Sequence, residues 1–230
     1  MIHQFIFAGP KPGLADDAFA SYWINFHAVD YAAKIPQIAQ YLVAARLPVK
    51  TGRDVPWFYQ GVAEIWLANE AAQLASLQSP EFLQGARLDE PRWAAFWRTL
   101  VLDTSPHVFK DDGGARPPPE SIKLYVLLKR RPELSLSAFR QQLIDDRGGI
   151  AARFGFDRHL AGFSRDPLYG FGEPPFDAIE LLAVRDLTLL ETLLADRSFS
   201  GALTARPYVH ESYAFNFVAR EHWIIPPGGR

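Results

Sequence analysis

The chain has 230 residues and contains no cysteine. This absence excludes disulfides, thiolate catalysis, cysteine-ligated zinc and iron–sulfur clusters. The sequence also lacks HExxH, G-x-S-x-G and the Walker phosphate-binding loop. It therefore gives no indication of a metalloprotease, an α/β-hydrolase or a P-loop protein, and we predict no metal site.

Long apolar runs and an excess of one charge are missing as well. No run of about 18 apolar residues is present, so a membrane-spanning helix is not predicted. The first residues have neither the basic region nor the long apolar region of a signal peptide. A net charge of −2 favours neither nucleic acid nor an anionic membrane surface. We therefore expect a cytoplasmic protein without nucleic-acid or membrane partners.

Aromatic side chains are abundant, with 17 Phe and 6 Trp, and they could form the walls of a pocket for a flat apolar ligand. They concentrate in residues 19–28, FASYWINFHA. On a helix, Phe19, Trp23 and Phe26 follow the i, i+4, i+7 spacing of a core-facing stripe. Tyr22 and His27 lie among them, so this segment predicts either a small-molecule site or a core helix.

The sequence repeats itself at an offset of 120 residues. Residues 2–12 align with 122–132, and without a gap Phe19 aligns with Phe139. The polar, Pro- and Gly-rich stretch between the copies can continue neither periodic structure. We therefore predict a first half at residues 1–110, a linker at 111–120 and a second half at 121–230.

Each half is predicted to follow the order β-α-β-β-α-β, and the fold class is α+β. Its strands are predicted at residues 2–8, 40–47, 57–67 and 100–109, then at 122–128, 159–164, 176–184 and 209–218. Such a ferredoxin-like half covers one sheet face with helices and leaves the other bare. Two halves can bury their bare faces together, which predicts a pseudo-dimeric α/β barrel within one chain.

The pattern F-x-x-Y-W-x-x-x-H-A, formed by Phe19, Tyr22, Trp23, His27 and Ala28, resembles the EthD domain of the dimeric α/β-barrel superfamily in a tandem, single-chain form. The following segment, IPQIAQY at 35–41, resembles the family's passage into its second strand. The resemblance covers about 110 residues.

The second half shares the plan of the first half but not its motif. Gln142, Leu143 and Arg147 stand in place of Tyr22, Trp23 and His27. We interpret this half as degenerate, a partner that closes the barrel.

The resemblance implies several chemistries. Our main prediction is a cofactor-independent acid/base enzyme, a lyase, decarboxylase, dehydratase, cyclase or isomerase, acting on a small hydrophobic aromatic or polyketide-like carbonyl compound. The alternatives are a cofactor-free monooxygenase of phenolic or anthrone-like substrates, a haem-binding protein with His27 or another histidine as axial ligand, and a non-catalytic binder of a hydrophobic metabolite. No cofactor is predicted except in the haem alternative, and pairing of two tandem chains into a homodimer is left open.

Three residues form the predicted catalytic set. His27 can exchange a proton near neutral pH because the unperturbed imidazole pKa is about 6.5. Tyr22 could donate a hydrogen bond to an oxyanion. Glu64 lies in an apolar strand, and Glu180 is its expected counterpart at an offset of 116. The structural alternatives are a histidine that holds its helix in place, a core tyrosine and a solvent-facing glutamate.

The remaining predicted site residues would bind substrate. They are His3, Trp23, Phe5, Phe26, Asp103 and His107. His3 shares a strand face with Phe5, and its counterpart Lys123 should point to the same side in the second half. This pairing predicts polar positions in the barrel lumen.

Overall fold

The computed structural model describes residues 1–50, 57–111 and 121–230. The strands are β1 (Ile2–Ala8), β2 (Ile38–Arg46), β3 (Gly61–Leu67), β4 (Leu100–Asp111), β5 (Ile122–Arg130), β6 (Arg158–Ser164), β7 (Ala178–Val184) and β8 (Val209–Ile225). The α-helices are α1 (Asp16–Tyr22), α2 (Glu70–Gln78), α3 (Arg87–Asp89), α4 (Leu136–Arg147), α5 (Ile150–Phe154), α6 (Leu187–Ala195) and α7 (Arg197–Thr204). Most of the predicted linker, residues 112–120, lies outside the described residues.

The strands form one closed antiparallel barrel in the order β1-β3-β2-β8-β5-β7-β6-β4. Two seams join the halves, β2 against β8 and β4 against β6. The predicted α+β class and the barrel are thus confirmed, and the order β-α-β-β-α-β recurs in both halves. The third strand begins at Gly61 and not at residue 57.

Alternation along the strands creates separate cores on the two faces of the barrel wall. One face fills the lumen with residues such as Phe5, Phe7, Tyr125 and Phe217. The other face packs against the helices of each half. Strands such as β5 and β7 are therefore buried on both sides, which explains why few polar residues interrupt them, whereas β4 and β8 keep several exposed residues.

The expected equivalence of Glu64 and Glu180 is wrong. Glu64 lies opposite Phe5 on β1, whereas the residue opposite Tyr125 on β5 is Leu181. Glu64 therefore points into the lumen, while Glu180 points outward and contacts Arg147 of α4. A shift of one residue moves a strand side chain to the opposite face.

The helix predicted at the start of the first half has an unusual middle. Residues 23–31 form a π-helix, which we call the first π-helix; it continues α1 and leads into a 3-10 turn at Ala32–Lys34. The wider turn of a π-helix moves residue i+4 toward the face of residue i and rotates residue i+3 away. Trp23 and His27 accordingly share the buried face, whereas Phe26 is 52% exposed. The predicted place of Phe26 in the core stripe is therefore wrong.

Candidate active site

His27 and Asp89 form a buried hydrogen-bonded pair in the helical layer of the first half. His27 lies on the first π-helix, and its Nδ1 is 2.9 Å from Oδ2 of Asp89 on α3. Because a carboxylate only accepts, Nδ1 carries the proton and Nε2 keeps its lone pair. Among the described residues, Nε2 has no hydrogen-bond partner. The Asp89 contact therefore fixes the orientation of the imidazole and leaves the Nε2 lone pair available.

Asp89 is held in place from three directions. The Tyr22 hydroxyl donates to its Oδ1 at 2.9 Å, and Nη1 of Arg92 lies 3.5 Å from the same oxygen. Asp89 itself is only 2% exposed. Tyr22 was predicted to donate a hydrogen bond to an oxyanion, and in the structure its hydroxyl donates to Asp89 instead.

Burial lowers the pKa of His27 below its ordinary value of 6.5, and the Asp89 carboxylate opposes this shift without reversing it. Desolvation disfavours the imidazolium because a charge is costly in an apolar setting. His27 is therefore neutral at neutral pH, which is the protonation state that a general base requires.

A cavity of about 80 Å³ lies between the first π-helix and the outer face of the first-half strands. His27 lines this cavity together with Trp23 and Trp93, whose ring centroids are 4.9 Å apart. The Trp93 ring also lies 4.7 Å from the imidazole. Most of the remaining lining is aliphatic: Ile6, Ala8, Ala32, Ile35, Ile38, Ala63, Ile65, Ala86 and Ala94. The cavity suits a small and mainly apolar molecule.

Glu90 also lines this cavity. Its Oε2 accepts a hydrogen bond from Nη1 of Arg87 at 3.0 Å. Burial raises the pKa of Glu90 to about 7; Arg87 opposes the shift and the neighbouring Asp89 charge adds to it. Near neutral pH this carboxyl group can therefore hold or release a proton.

The predicted residues His3, Phe5 and Glu64 lie elsewhere, in the barrel lumen. Glu64 is the centre of a fully buried network: His3 Nε2 is 2.8 Å, Lys123 Nζ 2.6 Å and the Tyr125 hydroxyl 2.5 Å from its carboxylate oxygens. The expectation that His3 and Lys123 share the lumen is confirmed. Burial alone would raise the pKa of Glu64, but Lys123 and His3 lower it to about 2. Glu64 is thus ionised and occupied by partners from both halves.

The two remaining predicted residues lie on other parts of the barrel wall. Asp103 accepts hydrogen bonds from Gln4 and Gln73 at 2.7 and 2.8 Å. The ring of His107 packs on Phe109, with centroids 4.7 Å apart. Of the predicted substrate-binding residues, only Trp23 shares the cavity with His27.

Sequence reasoning missed Asp89, Glu90 and Trp93. All three belong to the segment Arg87–Trp93, which closes the helical layer over the cavity. The signal in the sequence is an additional turn near residues 91–96, for which the second half has no aligned counterpart. The structure forms 3-10 turns there, at Glu90–Arg92 and Phe96–Arg98. A segment present in one copy of a repeat is a natural place for a site found in that copy.

The position equivalent to His27 in the second half holds a fully buried arginine. Nε of Arg147 lies 3.0 Å from the Glu180 carboxylate, and its Nη2 donates to the Leu203 carbonyl at 2.5 Å. His159 Nε2 lies 3.0 Å from the same carboxylate. The guanidinium group thus replaces a free base with a satisfied ion pair.

In the described part of the chain, no group of three or more histidine, aspartate or glutamate residues could hold a metal ion. None of the helices described is both long and apolar enough to cross a membrane.

Comparison with known proteins agrees with the predicted resemblance. Residues 11–96 match the family model of the EthD domain. No curated protein matches the sequence.

Solved structures match nearly the whole chain. A candidate monooxygenase from Fusobacterium nucleatum is 11% identical, with 98% of this chain and 93% of that chain covered and a TM-score of 0.58. An anthrone oxidase-like protein is 9% identical, with coverage of 97% and 92% and a TM-score of 0.63. A candidate chlorite dismutase is 12% identical, with coverage of 96% and 94% and a TM-score of 0.56. At these identities the likeness establishes a shared fold and no activity. The match to the EthD family model at residues 11–96 thus falls in the first half of an antiparallel barrel that a single polypeptide closes.

Proposed function

We propose that this protein is a cofactor-independent proton-transfer enzyme acting on a small hydrophobic carbonyl compound, with His27 as the general base. One observation carries the proposal: the free Nε2 belongs to a buried, neutral histidine that Asp89 orients and that lines an apolar cavity. The proposal covers elimination, decarboxylation, isomerisation and cyclisation, since each can begin with removal of a proton beside a carbonyl group.

The chemistry follows from the pair's geometry. Nε2 would accept the proton, and the Asp89 carboxylate would stabilise the imidazolium that forms, as the aspartate of a Ser-His-Asp triad does. A positioned base typically accelerates a reaction by about 10²–10⁴-fold. The aromatic walls formed by Trp23 and Trp93 would supply orientation of the substrate in addition.

Oxygenation without a cofactor is the second candidate. The same base could deprotonate a phenol, whose anion would then react with oxygen. Two solved structures with this fold carry names from oxidation chemistry, a candidate monooxygenase and an anthrone oxidase-like protein. Oxygen consumption during turnover would distinguish this reaction from the first, which needs no oxidant.

Haem does not fit the residues around His27. The cavity of about 80 Å³ is far below the roughly 300–1,000 Å³ of pockets for drug-sized ligands. Elsewhere His3 and His159 are buried and bonded to Glu64 and Glu180. We therefore derive no step through haem.

We also infer that each half is a ferredoxin-like unit. The ring order places β4-β1-β3-β2 in the first half and β8-β5-β7-β6 in the second, so the two halves share one strand order. The equal element order in both halves supports the same inference.

His27→Gln tests the proposed function. Glutamine keeps some size and hydrogen bonding but cannot exchange a proton near neutral pH. We expect turnover to fall about 10²–10⁴-fold, while the melting temperature stays within about 4 °C of wild type. A suitable assay is deuterium incorporation into 2-pentanone in D₂O, followed by proton NMR.

His107→Gln is the matched control, because it makes the same change away from the cavity; it should exchange deuterium at the wild-type rate. A folded His27→Gln protein that exchanges as fast as wild type would remove His27 from the mechanism.

A further inference from the structure

Glu90 is the second proton-handling group of the cavity that contains His27. It follows Asp89 directly, so one short segment supplies both the partner of the base and a separate carboxyl group. Asp89 bonds to the imidazole and to Tyr22, whereas Glu90 lines the cavity itself. The two carboxyl groups therefore have different surroundings and are suited to different roles.

The groups facing Glu90 decide its protonation state. Arg87, one turn earlier, donates to one carboxylate oxygen and favours the ionised form. Asp89 and the desolvated cavity favour the neutral form, and together they raise the pKa of Glu90 to about 7. From β2, the buried Tyr41 lines the same cavity; burial raises the pKa of its phenol, and the charge of Glu90 raises it further. At slightly acidic pH the cavity thus contains a neutral imidazole and a neutral carboxylic acid.

We infer that Glu90 is the general acid that works with His27, and that the substrate is a small uncharged ketone or aldehyde with a hydrogen on the α-carbon. This inference rests on the proposed function. The α-proton passes to Nε2 of His27, and the electron pair of the C–H bond becomes the C=C bond. The carbonyl π pair takes the proton of Glu90, which leaves an enol, an imidazolium and a carboxylate. Return of both protons regenerates the residues without any oxidant or reductant.

The lining of the cavity favours a substrate without charge. Among the described residues, none of those that line it is a lysine or an arginine. The nearby Arg87 is bound to Glu90. A carboxylate or phosphate on the substrate would therefore lose its hydration without gaining a cation, which is costly in an apolar site. A carbonyl oxygen needs only one donor, and Glu90 supplies it.

Deuterium exchange with a matched pair of ketones tests the inference. 2-Pentanone is neutral, whereas 4-oxopentanoate has the same five-carbon ketone with a carboxylate. We expect the wild-type protein to exchange 2-pentanone at least tenfold faster than 4-oxopentanoate, after subtraction of the uncatalysed rates. The exchange rate of 2-pentanone should fall about 10²-fold in Glu90→Gln. In Glu133→Gln, which changes an exposed glutamate of the second half, the rate should equal that of wild type.

The pH profile gives a reading that folding defects do not imitate. In the wild type, the rate should fall at acid pH as His27 becomes protonated, and fall again above about pH 7 as Glu90 ionises. The pH profile of Glu90→Gln should keep its decline at acid pH and lose its decline at alkaline pH. The profile of Glu90→Asp should keep both. If the wild type shows no alkaline decline, or if folded Glu90→Gln exchanges within twofold of wild type, Glu90 is not the acid.

The outcomes separate the two proposals. Loss of exchange in His27→Gln together with full exchange in Glu90→Gln would overturn the role of Glu90 and leave the proposed base in place. Wild-type protein that exchanges neither ketone faster than buffer would overturn both proposals. Equal exchange of the two ketones would overturn the assignment of an uncharged substrate.

Discussion

Asp89→Asn offers a sharp test of the His27 pair because it changes one atom type without changing size. Asp89 accepts from Tyr22 through one oxygen and from Nδ1 of His27 through the other. Asparagine has only one accepting oxygen. If that oxygen keeps the Tyr22 bond, the amide nitrogen faces His27 and must donate to Nδ1. The imidazole proton then moves to Nε2. This nitrogen becomes a hydrogen-bond donor toward the cavity and can no longer accept a proton from a substrate.

The expected size of the effect follows from the same geometry. In the Ser-His-Asp triad of other enzymes, the equivalent Asp→Asn substitution lowers kcat by about 10⁴-fold, because the histidine then adopts the wrong tautomer. We expect a loss of about 10²–10⁴-fold in deuterium exchange here, because the tautomer error is the same. The pKa of His27 should fall further, since the Asp89 charge opposes the effect of burial. Replacing one buried charged acceptor should cost about 1–3 kcal/mol of folding free energy, which lowers the melting temperature by about 2–12 °C.

Nitrogen-15 NMR of labelled histidine gives a direct assay. The shifts of Nδ1 and Nε2 report which nitrogen carries the proton, and no substrate is needed. Tyr22→Phe is the matched control, because it removes the other donor to Asp89 while the carboxylate remains to orient His27. The reasoning would be refuted if folded Asp89→Asn kept its proton on Nδ1 and exchanged deuterium at the wild-type rate.

Three further predictions concern stability and assembly. Lys123→Met should lower the unfolding free energy by about 3–5 kcal/mol in urea titrations, because it leaves two buried glutamates without their shared cation; an unchanged midpoint would show that the lumen charges are not coupled. Gly61→Ala should destabilise the protein by about 1–3 kcal/mol, since its new Cβ would lie 2.8 Å from the Trp23 ring, whereas Gly201→Ala, with nothing within 4 Å, should leave the midpoint equal or higher. Residues 1–110 alone should self-associate in analytical ultracentrifugation, because both seam strands lose their partners; a soluble monomer would contradict closure between the halves.

The barrel was predictable from local patterns. Alternation along residues 2–8 and its recurrence 120 residues later define a strand with two buried faces, and both β1 and β5 form as expected. The lumen pairing of His3 with Lys123 followed from the same period of two. Such patterns predict the strands well because side chains alternate between the two faces along each strand.

The site was only partly predictable. His27 and Trp23 lie on the cavity as expected, but Asp89 and Glu90 approach them from a segment more than sixty residues away. No local period links such residues, since tertiary packing of the helical layer brings them together. Phe26 is exposed because it lies on a π-helix, and the i→i+5 hydrogen bonds of a π-helix have no clear pattern in the sequence. Glu180 was wrongly matched to Glu64 because the match used a sequence offset of 116, whereas the strand register makes Leu181 the counterpart of Glu64.

The fusion of two halves into one polypeptide has a consequence for the lumen charges. In a dimer of identical chains, a position near the two-fold axis meets its own copy, so a lysine there would face a lysine. Here the same position holds His3 in one half and Lys123 in the other, while Glu64 has Leu181 as its counterpart. The chain can therefore hold one carboxylate between a histidine of its own half and a lysine of the other half in a single copy, whereas a symmetric homodimer would repeat every such contact. A covalent connection between the halves has thus freed each half to acquire residues that would repel or duplicate one another across a symmetry axis.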